Sequence, residues 1–135
     1  MDSRTTRLLG VRPQIPSAVV YDTMNNAEYF QNTTLRPVIK FQNDLFIEVF
    51  KNYIRKHKNH FYTLDTEGKL RYIENAIQKD IKFRNALKGM VIGQFTIAEY
   101  GEYIKDSSAL NKRMMGMVIE RLKDQVQLLE HVVSL

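Results

Sequence analysis

Apolar residues recur at helical spacing along most of the chain, and no stretch shows the strict alternation of a half-buried strand. Leu35, Val38, Leu45 and Val49 form one stripe, with Gln42 in line, and Ile39, Phe46, Phe50, Tyr53 and Ile54 broaden it. Lys40, Asp44, Glu48, Lys51 and Arg55 fall on the opposite, solvent-facing side, while Phe41 and Ile47 lie off the main stripe. The pattern predicts a first long helix to about Lys58. It starts at Thr33 or Thr34, whose hydroxyl can accept a free backbone N–H, and carries Pro37 harmlessly in its first turn.

Asp65 or Thr66 opens the next helix, with a stripe of Leu70, Ile73, Ile77 and Ile81. Phe83, Leu87, Met90 and Val91 continue in a shifted phase, so a break is expected near Asp80, which can cap the second segment. Gly93 suits the position just past a helix end. Thr96-Ile97-Ala98-Glu99 matches the reciprocal capping box and predicts a short helix to about Lys105. Asp106-Ser107-Ser108 then opens a last helix to about Val132, whose seam is Met115, Val118, Leu122, Gln125, Leu129 and Val132, flanked by Leu110, Met114 and Val126.

Each long seam holds one amide, Gln42 or Gln125. A buried amide without partners costs about 1–3 kcal/mol. Two readings stand: the pair sets register, by bonding each other or across an oligomer interface, or each lies at a seam edge and reaches water.

Residues 1–33 are different in kind. They hold Pro13, Pro16, Arg4, Arg7 and Arg12 and a polar run from Asp22 to Asn26, with only short apolar pieces. They read as a partly extended arm with one short helix around Asn26–Asn32. The arm is either a frayed terminus or a segment that docks on a partner or on its own bundle through Val19, Val20, Tyr21, Tyr29 and Phe30. The expected fold is therefore all-α: a four- or five-helix bundle over residues 34–135 with an extended N-terminal arm.

Composition narrows the function. The chain has 135 residues, near one domain's length. It contains no Cys, which excludes disulfides, thiolate metal sites and Cys nucleophiles. Its apolar runs are far shorter than the about 20 residues a membrane span needs, so no membrane association and a cytoplasmic location are expected. Twenty basic residues against fifteen acidic give a net charge of +5. Residues 1–60 carry nine basic and five acidic residues, and residues 61–135 eleven and ten, so most of the excess belongs to the arm and first helix.

That excess peaks at Lys51, Arg55, Lys56, His57, Lys58 and His60, a candidate basic partner surface. Charge mixed with aromatic rings is one way to hold a nucleic-acid strand. Tyr53 and Ile54 fit the core stripe, however, which leaves Phe61 and Tyr62 for stacking. His57 and His60, three apart, are the tempting metal pair. Lys56 and Lys58 flank them, no Asp or Glu lies between Glu48 and Asp65, and His131 stands beside Glu130, so no metal ligand is assigned. No nucleophile elbow and no phosphate-cradling Gly-rich loop is present. No catalytic residue and no cofactor is assigned.

The strings Phe30-Gln-Asn-Thr-Thr-Leu-Arg-Pro-Val-Ile-Lys-Phe-Gln-Asn-Asp-Leu-Phe46, Tyr72-Ile-Glu-Asn-Ala-Ile-Gln-Lys-Asp-Ile-Lys-Phe-Arg-Asn85, Leu87-Lys-Gly-Met-Val-Ile-Gly-Gln-Phe-Thr96 and Leu110-Asn-Lys-Arg-Met-Met115 resemble a small helical family of bacterial proteins of the Bacteroidetes group. The resemblance covers about residues 28 to 130. Members often carry a glyoxalase label, which would imply a metal-dependent lyase. The resemblance supplies no motif through which catalytic residues transfer. The residues themselves point to a non-enzymatic interaction protein or accessory subunit, with a homo-oligomer or another protein as partner. A basic nucleic-acid- or ribonucleoprotein-associated factor is the alternative.

Overall fold

The structure, a computed structural model, describes residues 2–15 and 24–130; among them every regular element is helical and there is no strand. The elements are α1 (Ser3–Val11), α2 (Asn26–Phe30), α3 (Arg36–Phe41), α4 (Asn43–Lys56), α5 (Thr66–Lys79), α6 (Ile81–Ile92), α7 (Ile97–Tyr103) and α8 (Ser107–Asp124). A π-helical turn, Gln31–Leu35, joins α2 to α3, and 3₁₀ turns cover His60–Thr63 and Val126–Leu129.

The first long helix does not begin at Thr33 or Thr34. Asn25 caps it instead, accepting the Glu28 N–H at 2.8 Å, and the helical run continues across position 33. Pro37 explains the π turn. It has no N–H to donate, and its ring clashes with the carbonyl four residues back. The preceding turn widens, and the Arg36 N–H reaches the carbonyl of Gln31. Thr33 donates back to the Tyr29 carbonyl at 2.7 Å, and Thr34 is buried.

A second disturbance follows at Gln42, whose backbone (φ −86°, ψ 0°) bends the run between α3 and α4. The bend rotates the buried face. Phe46, Ile47, Phe50 and Ile54 enter the core, whereas Leu45 stays 50% exposed and Val49 only packs against the core's edge. The stripe of Leu45 and Val49 is thus corrected by one residue, and Ile47, off that stripe, is buried.

The remaining breaks fall at expected places. Asp80 separates α5 from α6 and accepts the Phe83 N–H at 3.2 Å. Thr96 and Glu99 form both bonds of the capping box at the start of α7. The last helix ends earlier than expected, at Asp124; the 3₁₀ turn beyond it still buries Leu129. Val132 lies outside the described residues.

Helix α8 is the spine of the core. It buries Leu110, Met114, Met115, Val118, Ile119 and Leu122, and packs on α4, α5, α6 and the π turn. At the far side of α4, the buried ring of Phe50 gathers Tyr53, Phe61, Tyr72 and Phe83, at 5.8 to 6.2 Å between ring centres. Four separate segments thus each contribute a ring around one side chain.

The arm is the main departure. Ser3–Val11 is helical, not extended. Asp2 caps it by accepting the Thr5 N–H at 2.7 Å. Its few apolar residues are too short a pattern to show a period, and none of its side chains is buried. Of the arm-docking residues, Phe30 is in the core, edge-on to Phe95 at 5.5 Å, and Tyr29 is exposed. Val19, Val20 and Tyr21 lie outside the described residues.

The assignment of the buried face of α4 has a direct check. Phe46→Ala should cost about 3–5 kcal/mol of unfolding free energy and Leu45→Ala less than about 1, measured from urea midpoints. Equal losses would contradict that face.

Candidate functional site

The predicted basic residues gather at the corner where α4 ends. Lys51 faces Glu48 at 3.5 Å, and Arg55 leans on the Asn52 amide at 3.5 Å. Lys56, His57, Lys58 and His60 are exposed, and none of the four has an ion pair among the described residues. The helix stops with the Lys58 N–H on the Arg55 carbonyl and the Asn59 N–H on the Ile54 carbonyl, the two bonds of a Schellman cap. Such a cap normally places Gly in the left-handed position. Here Lys58 (φ 62°) and Asn59 (φ 60°) occupy it. The helix therefore ends before His60, so His57 and His60 do not share a helical face.

Beside this corner lies a groove of about 640 Å³, lined by Tyr53, His57, His60, Tyr72, Lys79 and Asp80 among others. The His57 ring lies 4.1 Å from that of Tyr53. The Tyr53 hydroxyl donates to Asp80 Oδ2 at 3.0 Å. Burial, then the bond to Asp80 and its charge, push the Tyr53 hydroxyl well above the ordinary phenol range, which keeps it a donor. Asp80 is held below the usual carboxylate range, first by the Phe83 N–H and then by Tyr53, with His57 adding to the effect. Each Asp80 oxygen thus accepts one hydrogen bond, from the Tyr53 hydroxyl and from the Phe83 N–H. No group of three or more His, Asp or Glu that could hold a metal occurs among the described residues.

The two seam glutamines find partners elsewhere than in each other. Gln42 Nε2 donates to the Met90 carbonyl at 2.9 Å, which ties the bend to α6. Gln125 exchanges both amide bonds with Asn43, at 2.9 and 2.7 Å, and donates to the Arg121 carbonyl at 2.9 Å. The polar tie between first and last helices is thus Asn43–Gln125, one residue beyond the expected Gln42.

A second arrangement was not legible in the sequence. Arg12 places two guanidinium nitrogens on the two Glu99 oxygens, each at 2.5 Å, and one also on the Gln94 carbonyl at 2.7 Å. Glu99 further accepts the Thr96 N–H at 2.8 Å and the Thr34 hydroxyl at 2.9 Å. Arg4 donates to the Phe95 and Gly93 carbonyls at 2.6 and 3.0 Å. Helix α1 is therefore fastened by two arginines to the loop before α7. Burial pushes the Glu99 carboxyl up, but the Arg12 bond, the Thr96 N–H and the Arg12 charge outweigh it and hold it below its ordinary range. Glu99 also floors a groove of about 700 Å³ between α2 and α7, whose walls include Tyr29, Phe30, Ala98 and Leu110. Only the capping box marked Glu99 beforehand; its partner lies 87 residues away.

Helix α7 also turns three apolar side chains outward, Ile97, Tyr100 and Ile104, which are 67%, 48% and 57% exposed. Their spacing of three and four places them on one face.

No family model, no curated protein and no solved structure matches this chain.

The Glu99 assembly has a defined pH signature. Because its folded pKa is depressed, its stabilisation is complete above the unfolded value of about 4.3 and is lost as pH falls through the folded value. Arg12→Ala should lower stability at pH 7 by about 1–3 kcal/mol, between the exposed and buried limits for an ion pair. It should also flatten the loss of stability below pH 5, followed by urea unfolding at several pH values. An unchanged acid limb would show that Glu99 does not carry it.

Proposed function

We propose that this chain is a non-enzymatic helical interaction protein, an accessory subunit that meets an acidic protein partner at the α4 corner. The observation that carries this reading is the left-handed Lys58. That conformation costs an L-residue other than Gly or Asn roughly 1–2 kcal/mol. Strained residues persist mainly where a function holds them. What Lys58 adds over Gly is a positive charge, held out beside Lys56, His57 and His60 and in no ion pair among the described residues. A surface of this kind steers and orients an acidic partner.

A protein partner fits better than a nucleic-acid strand. Stacking needs open ring faces, and Phe61 is fully buried under Phe50 and Tyr72. Tyr62 is half-buried against Phe61.

The test uses the whole protein in its native cell, with a photo-crosslinking residue at position 56. Protein adducts are expected, to acidic segments, and they should weaken strongly when Lys58→Gly is added. The same change should raise stability by about 0.5–1 kcal/mol in urea, since Gly is at ease there while the unfolded chain gains freedom. Adducts to RNA, or protein adducts indifferent to Lys58→Gly, would overturn the reading.

The outward stripe of α7 favours a second contact, between copies of the chain. Ile104 projects from the C-terminal end of α7, beside the buried Tyr103 that packs the helix onto the core. If copies pair there, light scattering after size exclusion should give twice the monomer mass, and Ile104→Glu should return it to the monomer value. A monomeric parent protein would dispose of this contact.

A further inference from the structure

Three cations face one another across a groove far from the α4 corner in sequence and use. Arg36 and Lys40 stand four residues apart on α3, and Arg121 faces them from α8 across a space of about 630 Å³. That size suits a small molecule. Ile39 and Met117 supply apolar wall, and Gln31 and Gln125 contribute amides.

Two carboxylates, Glu120 and Asp124, share the groove with the cations, but neither pairs with them among the described residues. None of the three has an ion pair among the described residues. Among the described residues the Arg121 guanidinium reaches the Asn43 side-chain oxygen, at 3.5 Å. Arg36 adds a buried Nε that has no hydrogen-bond partner among the described residues, as does the Nε of the paired Arg12. A buried donor left without an acceptor is uncommon and calls for one. The two amides on the groove wall are themselves held in place. Gln125 is fixed by Asn43 and bonds the Arg121 carbonyl, and Gln31 is fixed by Arg113 at 2.7 Å.

We infer that this groove binds a small oxyanion, a phosphate or carboxylate group carried on an apolar body. Guanidinium groups match such anions with paired, charge-assisted hydrogen bonds, and Lys40 adds a mobile point charge. The apolar body lies against Ile39 and Met117. Two carboxylates on the same wall limit the negative charge the groove accepts: Glu120 turns toward Lys123 at 3.8 Å, and Asp124 has no ion pair among the described residues. A single anionic group fits that balance, and a polyanionic strand does not.

The experiment titrates the full, isotope-labelled chain with phenyl phosphate in chloride buffer and follows backbone amide resonances. Saturable shifts are expected around Arg36, Lys40, Met117 and Arg121. Benzoate in a parallel titration tells a phosphate preference from a carboxylate one, and inorganic phosphate should bind several-fold more weakly than phenyl phosphate. Arg36→Gln and Arg121→Gln should each weaken binding about tenfold or more, the scale of losing a charged hydrogen bond. Lys40→Gln, at an exposed position that threatens no packing, should weaken it a few-fold, and Lys58→Asn at the other basic surface should leave it unchanged. Shifts that never saturate with either organic anion overturn the inference, as does binding that survives all three groove substitutions intact. Inorganic phosphate binding as tightly as phenyl phosphate would remove the apolar half of the proposal.

Discussion

One missing N–H shapes much of this molecule. Pro37 cannot close the ordinary helical bond, so the turn before it widens and presents Thr34 to the interior. The Thr34 hydroxyl then meets Glu99, which already caps α7, and Glu99 in turn receives Arg12. The N-terminal helix is thereby attached to the bundle without burying any of its own side chains. Its attachment is directional and polar, unlike the apolar packing that holds α4, α5, α6 and α8. A chain of dependence runs from a proline on one helix to an arginine 25 positions upstream, and from Thr34 onward each link is a hydrogen bond. The bend at Gln42 then re-aims α4 so that Phe50 becomes the hub of the aromatic cluster. The Tyr53–Asp80 bond and the groove by His57 sit on the polar edge of that cluster.

Sequence reading succeeded where the signal was chemical and local. The break at Asp80, the capping box at Thr96 and Glu99, and the part of the seam formed by Met115, Val118 and Leu122 each rest on residues within a turn or two of one another. It failed where two helical signals had to be joined. A single period carried through Pro37 and Gln42 selects Leu45 as core, and the actual bend selects Phe46. The left-handed cap at Lys58 was hidden because the expected Gly is absent. The Arg12–Glu99 pair and the facing of Arg36 and Lys40 to Arg121 join residues more than eighty positions apart, which no local pattern encodes. The candidate basic surface was readable as composition, whereas its strain was not.

The distribution of charge follows from where the acids are committed. Asp2, Asp65, Asp80 and Glu99 each accept a backbone N–H at the start of a helix, where a carboxylate also meets the favourable end of the helix dipole. Others, such as Glu74 and Glu130, hold α8 and the chain beyond it to α5 through Lys123 and Lys69. An all-helical fold with many short elements has many N-termini to satisfy, and it draws its acids to them. In a chain with five more basic than acidic residues, the shortfall of acids must then surface elsewhere.

It surfaces in two places of different character. At the α4 corner the cations are exposed and ride on a strained turn, a geometry open to a broad partner and responsive to salt. Between α3 and α8 they are recessed, one donor nitrogen is sealed from water, and the space is bounded by side chains on both walls. Solvation can satisfy the first arrangement, so its occupation by a partner is a matter of affinity. The buried Arg36 Nε has no such access to solvent, so the recessed site differs from the open corner in how its charge is screened. The same excess charge is therefore met in two ways, by solvent at an open corner and by enclosure between two helices, and the two can be varied independently because they share no residue.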